Sequence, residues 1–227
     1  MGSCGVLGRS HAYRLSGAGA NIILADQPGS DVADLALELG CSHLFIDCSN
    51  ERSIIDGVAQ TKQITGGVDG AIYNVAITSE GISKLTDNPY PSFENYPLNL
   101  WNQTININLT GAFLFAREIY KYFDPTKSTS LILVSSIYGV VAPDHRIYKD
   151  QLFNTFPGYA ASKAGIVGLM KWLATLWAPN NIRVNCISPG GVYNNHSDTF
   201  SSRYSHRTPL GRMAFPSDIS GTVIFLL

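Results

Sequence analysis

A doubly wound α/β domain with a parallel sheet and helices on both faces is the architecture that this 227-residue chain predicts. Two observations carry the expectation. Five short runs rich in Ile, Leu and Val do not alternate with polar residues, as strands covered on both faces require. Helix-length segments with apolar residues three and four apart lie between them, and such alternation builds parallel sheets with right-handed crossovers.

The elements follow in chain order. Strands are expected over 20–26, 43–47, 70–74, 130–135 and 182–188. A helix opens near Arg9, and Val32, Leu35, Ala36 and Leu39 mark the inner face of the next. Trp101, Ile105, Asn108, Ala112, Phe115 and Ile119 form a longer stripe, and Ile166, Leu169, Met170, Leu173, Leu176 and Trp177 another. A last helix is expected over 216–227. No repeat, low-complexity tract or linker interrupts the pattern, so 1–227 reads as one domain.

Composition removes several classes of function. Hydrophobic residues make up 45% and charged residues 15%, enough to bury a sizeable core and too apolar for a disordered chain. The net charge is −1, which gives neither nucleic acid nor an anionic membrane surface a reason to bind. The apolar run at 223–227 is far short of the ~20 residues of a membrane span. No secretory leader is visible. Cys4, Cys41, Cys48 and Cys186 form no C-x-x-C pair and read as free thiols of a reducing cytoplasm. The five histidines are dispersed, so no metal site is expected.

Gly2, Gly5 and Gly8 punctuate a turn that runs into the first helix, and the next strand ends in Asp26, 18 residues after Gly8. Glycines let backbone approach a pyrophosphate, and a helix N-terminus stabilises its charge. A strand-end carboxylate accepts hydrogen bonds from ribose hydroxyls and repels a 2′-phosphate, which favours NAD over NADP.

A second constellation lies further on. Ser135-Ser136-Ile137-Tyr138-Gly139 ends one strand, and Tyr159-Ala160-Ala161-Ser162-Lys163 opens the helix that follows. Tyr159 and Lys163 stand four apart and share a helix face. A phenol titrates near ~10, too high for a base at neutral pH, and a neighbouring ammonium favours its ionised form. Asn108 sits on the earlier apolar stripe, and Asn185-Cys186-Ile187-Ser188-Pro189-Gly190-Gly191 closes the last strand.

In this order the motifs resemble the single-domain branch of the short-chain dehydrogenase/reductase family, and the resemblance spans essentially the whole chain. It implies a Rossmann-type domain in which Tyr159 is the general acid/base, Ser136 holds the substrate oxygen, Lys163 binds the nicotinamide ribose, and Asn108 anchors a water that relays protons to Lys163. It implies NAD contacts from Gly2, Gly5, Val6, Leu7, Gly8, Asp26, Asp47, Cys48, Asn74, Ala76, Tyr159, Lys163, Pro189, Gly190 and Val192. A homodimer or homotetramer is implied by helices that pair with symmetry mates.

The chain departs from the family in four places. Its glycine spacing is G-x-x-G-x-x-G, and Tyr73 and Val75 alter the N-N-A-G stretch. The strand before Gly2 and the one after the last helix are missing, so two strands are expected to keep unpaired edges. The step from Ser136 to Tyr159, 23 residues, is longer than usual, and the inserted 144–150 suggests a substrate-contacting loop. This insertion, with Ser-Ile-Tyr-Gly-Val-Val and Arg207-Thr208-Pro209-Leu210-Gly211-Arg212-Met213, resembles a subgroup of flagellin-modification and surface-glycan oxidoreductases, which implies a polar, sugar-like alcohol or ketone. Two rival readings remain: a sugar-nucleotide epimerase or dehydratase with tightly held NAD, and a truncated, non-catalytic family member.

Overall fold

A computed structural model describes residues 1–124 and 126–227 of the chain. The strands are β1 (Ile23–Asp26), β2 (Ser42–Phe45), β3 (Gly70–Tyr73), β4 (Thr129–Val134) and β5 (Ile182–Ile187). The helices are α1 (Val6–Gly17), α2 (Val32–Leu39), α3 (Glu51–Thr65), α4 (Ser79–Ser83), α5 (Leu98–Ile105), α6 (Gly111–Ile119), α7 (Pro157–Trp177), α8 (Asp198–Ser205) and α9 (Pro216–Leu226). All five expected strands are present within one to three residues of their expected ends. The first helix starts at Val6, before Arg9, because Gly5 caps it with extended backbone and Arg9 N–H already donates to the Gly5 carbonyl at 2.9 Å. Sequence patterning did not single out α3, α4 or α8.

All strand pairs are parallel, but they form two sheets, β1–β2 and β3–β4–β5. The faces separate cleanly on β4. Leu131 and Leu133 enter one core with Phe115 and Ile166, while Ile132 and Val134 enter another with Ile187 and Val223. Helices α3, α6 and α7 thus cover one face and α9 the other, with Ala12 of α1 and Val32 and Leu35 of α2 packed on Leu24 of β1. Leu176 is the exception in its stripe: it is 49% exposed, because the inner face of α7 ends with Leu173 and Trp177.

Besides side-chain packing in a shared core, the described residues join the two sheets by hydrogen bonds from the first residues of the chain. Gly2 N–H donates to the Ala25 carbonyl at 2.8 Å, and the Met1 amino group donates to the Ile72 carbonyl at 3.1 Å. Asn74 N–H donates back to the Met1 carbonyl at 3.1 Å. Beyond this seam β1 and β3 face each other across a cavity of about 720 Å³, lined by Ile23, Leu24, Ile72, Phe115, Ile119 and His11. Among the described residues no strand lies between them. No described helix is long and apolar enough to cross a membrane.

His11 also joins α1 to α9. Its Nδ1 lies 2.9 Å from the Ser220 hydroxyl, which is 2.8 Å from the Ser10 hydroxyl. Burial pulls its pKa from 6.5 down to about 4, so the ring is neutral in the folded chain. The unfolded chain then binds the extra proton first, so stability is intact above pH 6.5 and falls as pH drops towards 4. Thermal melts should show the wild type losing midpoint relative to His11→Gln across that window. A gap that stays constant with pH overturns this assignment.

Candidate active site

In a parallel sheet every strand delivers its carboxyl end to the same edge, and ligand sites of open α/β sheets form there. Here that edge collects Asp26 after β1, Asp47 and Cys48 after β2, Asn74 and Ala76 after β3, Ser135 and Ser136 after β4, and Pro189–Val192 after β5. The glycine turn joins it from the chain start. Gly2 has a φ of +77°, and a Cβ there would sit 3.0 Å from the Asn74 and Val75 backbone. A Cβ on Gly8 would fall on the Gly2 carbonyl and 2.8 Å from the Ser3 backbone. Only glycines let the turn fold this tightly onto α1. No side chain caps α1, so the first-turn N–H groups of Val6, Leu7 and Gly8 are oriented for an anion.

The strand-end carboxylates are held by backbone. Asp26 Oδ2 accepts from Cys4 N–H at 2.7 Å and Oδ1 from Gln27 N–H at 2.8 Å, which ties the glycine turn to β1. Asp47 Oδ1 accepts from the Ser49 N–H at 2.8 Å and from its hydroxyl at 2.7 Å. Asn74 Nδ2 donates to the Gly2 carbonyl at 3.0 Å. Cys48 is buried, which pushes its thiol up to about 11.

The catalytic candidates sit where β4 meets α7. Pro157 fixes the first turn of α7, and Tyr159 follows it, half-buried. Lys163 is buried one turn later, and its ammonium donates to the Val134 carbonyl at 2.7 Å. The Ser135 hydroxyl donates to the Lys163 carbonyl at 2.7 Å, so strand end and helix clamp each other. The Lys163 ammonium lies 5.7 Å from the centre of the Tyr159 ring. Ser136 is buried, and its hydroxyl accepts from Tyr138 N–H at 3.2 Å.

The electrostatics differ from the sequence-based expectation. Burial dominates at Tyr159 and pushes its pKa up; the Ser136 hydroxyl works the other way, and Lys163 makes no resolved contribution. The reason is geometric: the ammonium points to the Val134 carbonyl, and burial brings its own pKa down to about 8. Asn108 is fully buried behind α7. Its Oδ1 accepts from Ile77 N–H at 2.7 Å, and its Nδ2 donates to the Ser162 hydroxyl at 3.0 Å. Ser162 in turn donates to the Tyr159 carbonyl at 2.9 Å. The described contacts of Asn108 thus run to the Ile77 backbone and, through Ser162, to the Tyr159 carbonyl.

Asn108 is placed by a feature that periodicity hides. The long stripe is not one regular helix: residues Asn106–Thr110 form a π-helical turn between α5 and α6. Such turns release a carbonyl from the regular ladder. Tyr73, the departure from N-N-A-G, donates its hydroxyl to the Ile107 carbonyl at 2.5 Å and is fully buried against the turn. Sequence reasoning placed Tyr148 in the inserted loop and left out Tyr204. Tyr148 is bonded to the Tyr138 hydroxyl at 2.7 Å, and Tyr204 accepts from Gly191 N–H. Tyr73→Phe should cost about 1 kcal/mol of stability by leaving the Ile107 carbonyl unpaired. Denaturant melts check this, and an unchanged midpoint would show that the bond contributes nothing.

Comparisons with known proteins agree with this geometry. The family model described as enoyl-(acyl carrier protein) reductase matches residues 5–227. An NAD-dependent glycerol dehydrogenase of Listeria innocua is 27% identical, over 100% of this chain and 84% of its own. Post-translational flagellin modification protein A of Campylobacter coli is also 27% identical, over 100% of this chain and 88% of its own. The crystal structure of a short-chain dehydrogenase from Leptospira borgpetersenii with bound NAD⁺ superposes with a TM-score of 0.81 at 30% identity, covering 99% of this chain and 82% of that one. With the family model spanning nearly the whole chain and the Ser136, Tyr159 and Lys163 constellation assembled at the sheet edge, this protein belongs to the short-chain dehydrogenase/reductase family of oxidoreductases.

Proposed function

We propose that this chain is an NAD-dependent oxidoreductase that moves a hydride between NAD(H) and a secondary alcohol or ketone, with a polar, sugar-like compound as substrate. One observation carries the reading: Ser136 after β4, Tyr159 on the first turn of α7 and the buried Lys163 ammonium, 5.7 Å from the Tyr159 ring centre, stand on the sheet edge that also holds the glycine turn. The NAD⁺-bound structure and the glycerol dehydrogenase support the cofactor, and the latter, acting on a triol, supports a polyhydroxy substrate.

The donor set fits a dinucleotide. Gly5, Val6, Leu7 and Gly8 would hold its pyrophosphate, with Gly2 closing the turn. Asp26 would accept from the adenosine ribose, and its charge favours NAD over NADP. Asp47 and Cys48 would flank the adenine, with Asn74 and Ala76 further along. Tyr159 and Lys163 would bind the nicotinamide ribose, and Pro189, Gly190 and Val192 would lie along the nicotinamide. When bound, NAD supplies the two-electron acceptor or donor.

The side chains handle the oxygen and the proton. Ser136 Oγ holds the substrate oxygen beside the Tyr159 hydroxyl. Tyr159 takes the alcohol proton as the carbonyl forms and returns it in the reverse direction. Lys163, fixed between β4 and α7, brings the positive charge that favours phenolate once the phenol is engaged. Asn108 holds the first turn of α7 through Ser162, and its share in relaying protons to Lys163 belongs to the same proposal. The four free thiols fit a reducing compartment.

Phe113 on α6 and Trp172 on α7 are 45% and 59% exposed, more than an unpartnered helix face favours. They support a homodimer or homotetramer formed through these helices. Light scattering should find the assembled species in the wild type and a smaller one in Phe113→Glu/Trp172→Glu; a monomeric wild type overturns the assembly.

The chemistry is tested by single-turnover hydride transfer beside separate NADH and NADPH titrations. Tyr159→Phe should lower turnover at least ~100-fold and leave NADH binding nearly intact, as expected for loss of a general acid/base. Lys163→Ala should damage both, and Ser136→Ala turnover more than binding. Retained turnover in Tyr159→Phe would overturn the mechanism, and tighter NADPH than NADH binding would overturn the cofactor choice.

A further inference from the structure

The inserted segment between Ser136 and Tyr159 is a built wall of the site. Residues His145–Tyr148 form one 3₁₀ turn, started by Asp144 Oδ1 accepting from Arg146 N–H at 3.0 Å. Ile147 is buried with Phe200 of α8 and Met213. Tyr148 packs on Phe153 and Phe200, with ring centres 6.0 and 5.4 Å away, and Phe153 meets Phe200 at 4.8 Å. Polar staples repeat the connection: the Ser197 hydroxyl donates to Gln151 Oε1 at 2.6 Å, and Arg203 donates to the Lys149 carbonyl. Insertion and α8 thus share a small core of their own, which fixes the position of Tyr148.

That position is beside the reacting groups. Tyr138 lies two residues after Ser136, and its N–H donates to the Ser136 hydroxyl at 3.2 Å. Its phenol meets the Tyr148 phenol at 2.7 Å. Burial raises the pKa of both phenols, so both keep their protons. Two hydroxyls that bond each other spend one proton, leaving one O–H donor and free lone pairs for a third oxygen. Asp144 pairs with Arg146 and Arg207, and Asp150 with Arg203, while Lys149 is exposed. At the Tyr138–Tyr148 pair the wall offers neutral hydroxyls.

Resting on the oxidoreductase reading above, we infer that the Tyr138–Tyr148 hydroxyl pair is a specificity determinant that binds a second, neutral hydroxyl of the substrate, so that the chain selects diols and polyols over simple alcohols. Tyr204 braces the opposite side through Gly191 N–H. A site built to bond a hydroxyl penalises an analogue that lacks it, because its own polar groups are left unpaired.

The test compares trans-cyclohexane-1,2-diol with cyclohexanol, followed by NADH formation on the full chain. The wild type should favour the diol in kcat/KM by at least about tenfold. Tyr148→Phe and Tyr138→Phe each keep their ring and remove one hydroxyl. Each should reduce the diol-to-cyclohexanol ratio about tenfold, carried by KM, as expected for one lost hydrogen bond. Quenching of bound-NADH fluorescence by each alcohol reads the same order without turnover. Equal efficiency on both alcohols in the wild type, or a ratio unchanged in both variants, overturns the inference while NADH formation leaves the oxidoreductase reading standing. A chain that neither binds nor forms NADH overturns that reading and this one together.

Discussion

The seam at the start of the chain is the constraint on which the rest depends. β1–β2 brings Asp26 and Asp47, while β3–β4–β5 brings Asn74, Ser136 and the Pro189–Val192 segment. Nothing at this edge is aligned unless the two sheets share an orientation. Met1 and Gly2 impose it with backbone bonds to Ile72, Asn74 and Ala25, and side chains reinforce it: Ala25 N–H donates to the Ser3 hydroxyl at 3.1 Å and Asn74 Nδ2 to the Gly2 carbonyl at 3.0 Å. Away from the seam the sheets are held by side-chain packing around a cavity of about 720 Å³. A void of that size forfeits dispersion contacts on both walls. The few residues of the glycine turn therefore carry orientation as well as candidate ligand contacts.

A second layer of constraint sets the catalytic half. Lys163 is expensive to bury, and the chain accepts that cost by giving its ammonium the Val134 carbonyl and its own carbonyl the Ser135 hydroxyl. These bonds lock α7 to the end of β4, the arrangement that sets Tyr159 beside Ser136. On the other flank the π-helical turn lets Asn108 reach both Ile77 and Ser162, and Tyr73 takes up a carbonyl within that turn. Each polar group near the site is thus fixed by a second polar group behind it, which is how a buried network stays rigid.

The inserted segment owes its place to a contact distant in sequence. Of Asp144, His145, Arg146, Lys149 and Asp150, all but the partly covered Asp144 are exposed. The residues between them, Ile147 and Tyr148, turn inward because α8 supplies Phe200 as their partner. That partner lies some fifty residues away in the chain, so no local pattern could announce it.

Much of this protein was legible in the residues themselves. Ile/Leu/Val-rich runs marked the strands because a parallel sheet is largely buried on both faces, though β2 at the sheet edge leaves Ser42, His43 and Phe45 exposed, and ordered short motifs marked Ser136, Tyr159 and Lys163 because their chemistry requires those residue types at fixed spacings. The glycine turn with Asp26 was legible for the same reason. Tertiary structure alone decided the rest. It chose the bonds that tie the two sheets together, since Met1 and Gly2 meet Ile72 and Ala25 only in the folded chain. It broke the Trp101–Ile119 stripe with a π turn, since one extra residue in a helix scarcely disturbs apolar spacing. It aimed the Lys163 ammonium at Val134 and brought Tyr138 to Tyr148, because hydrogen-bond partners distant in sequence are chosen by packing and leave no periodicity to read.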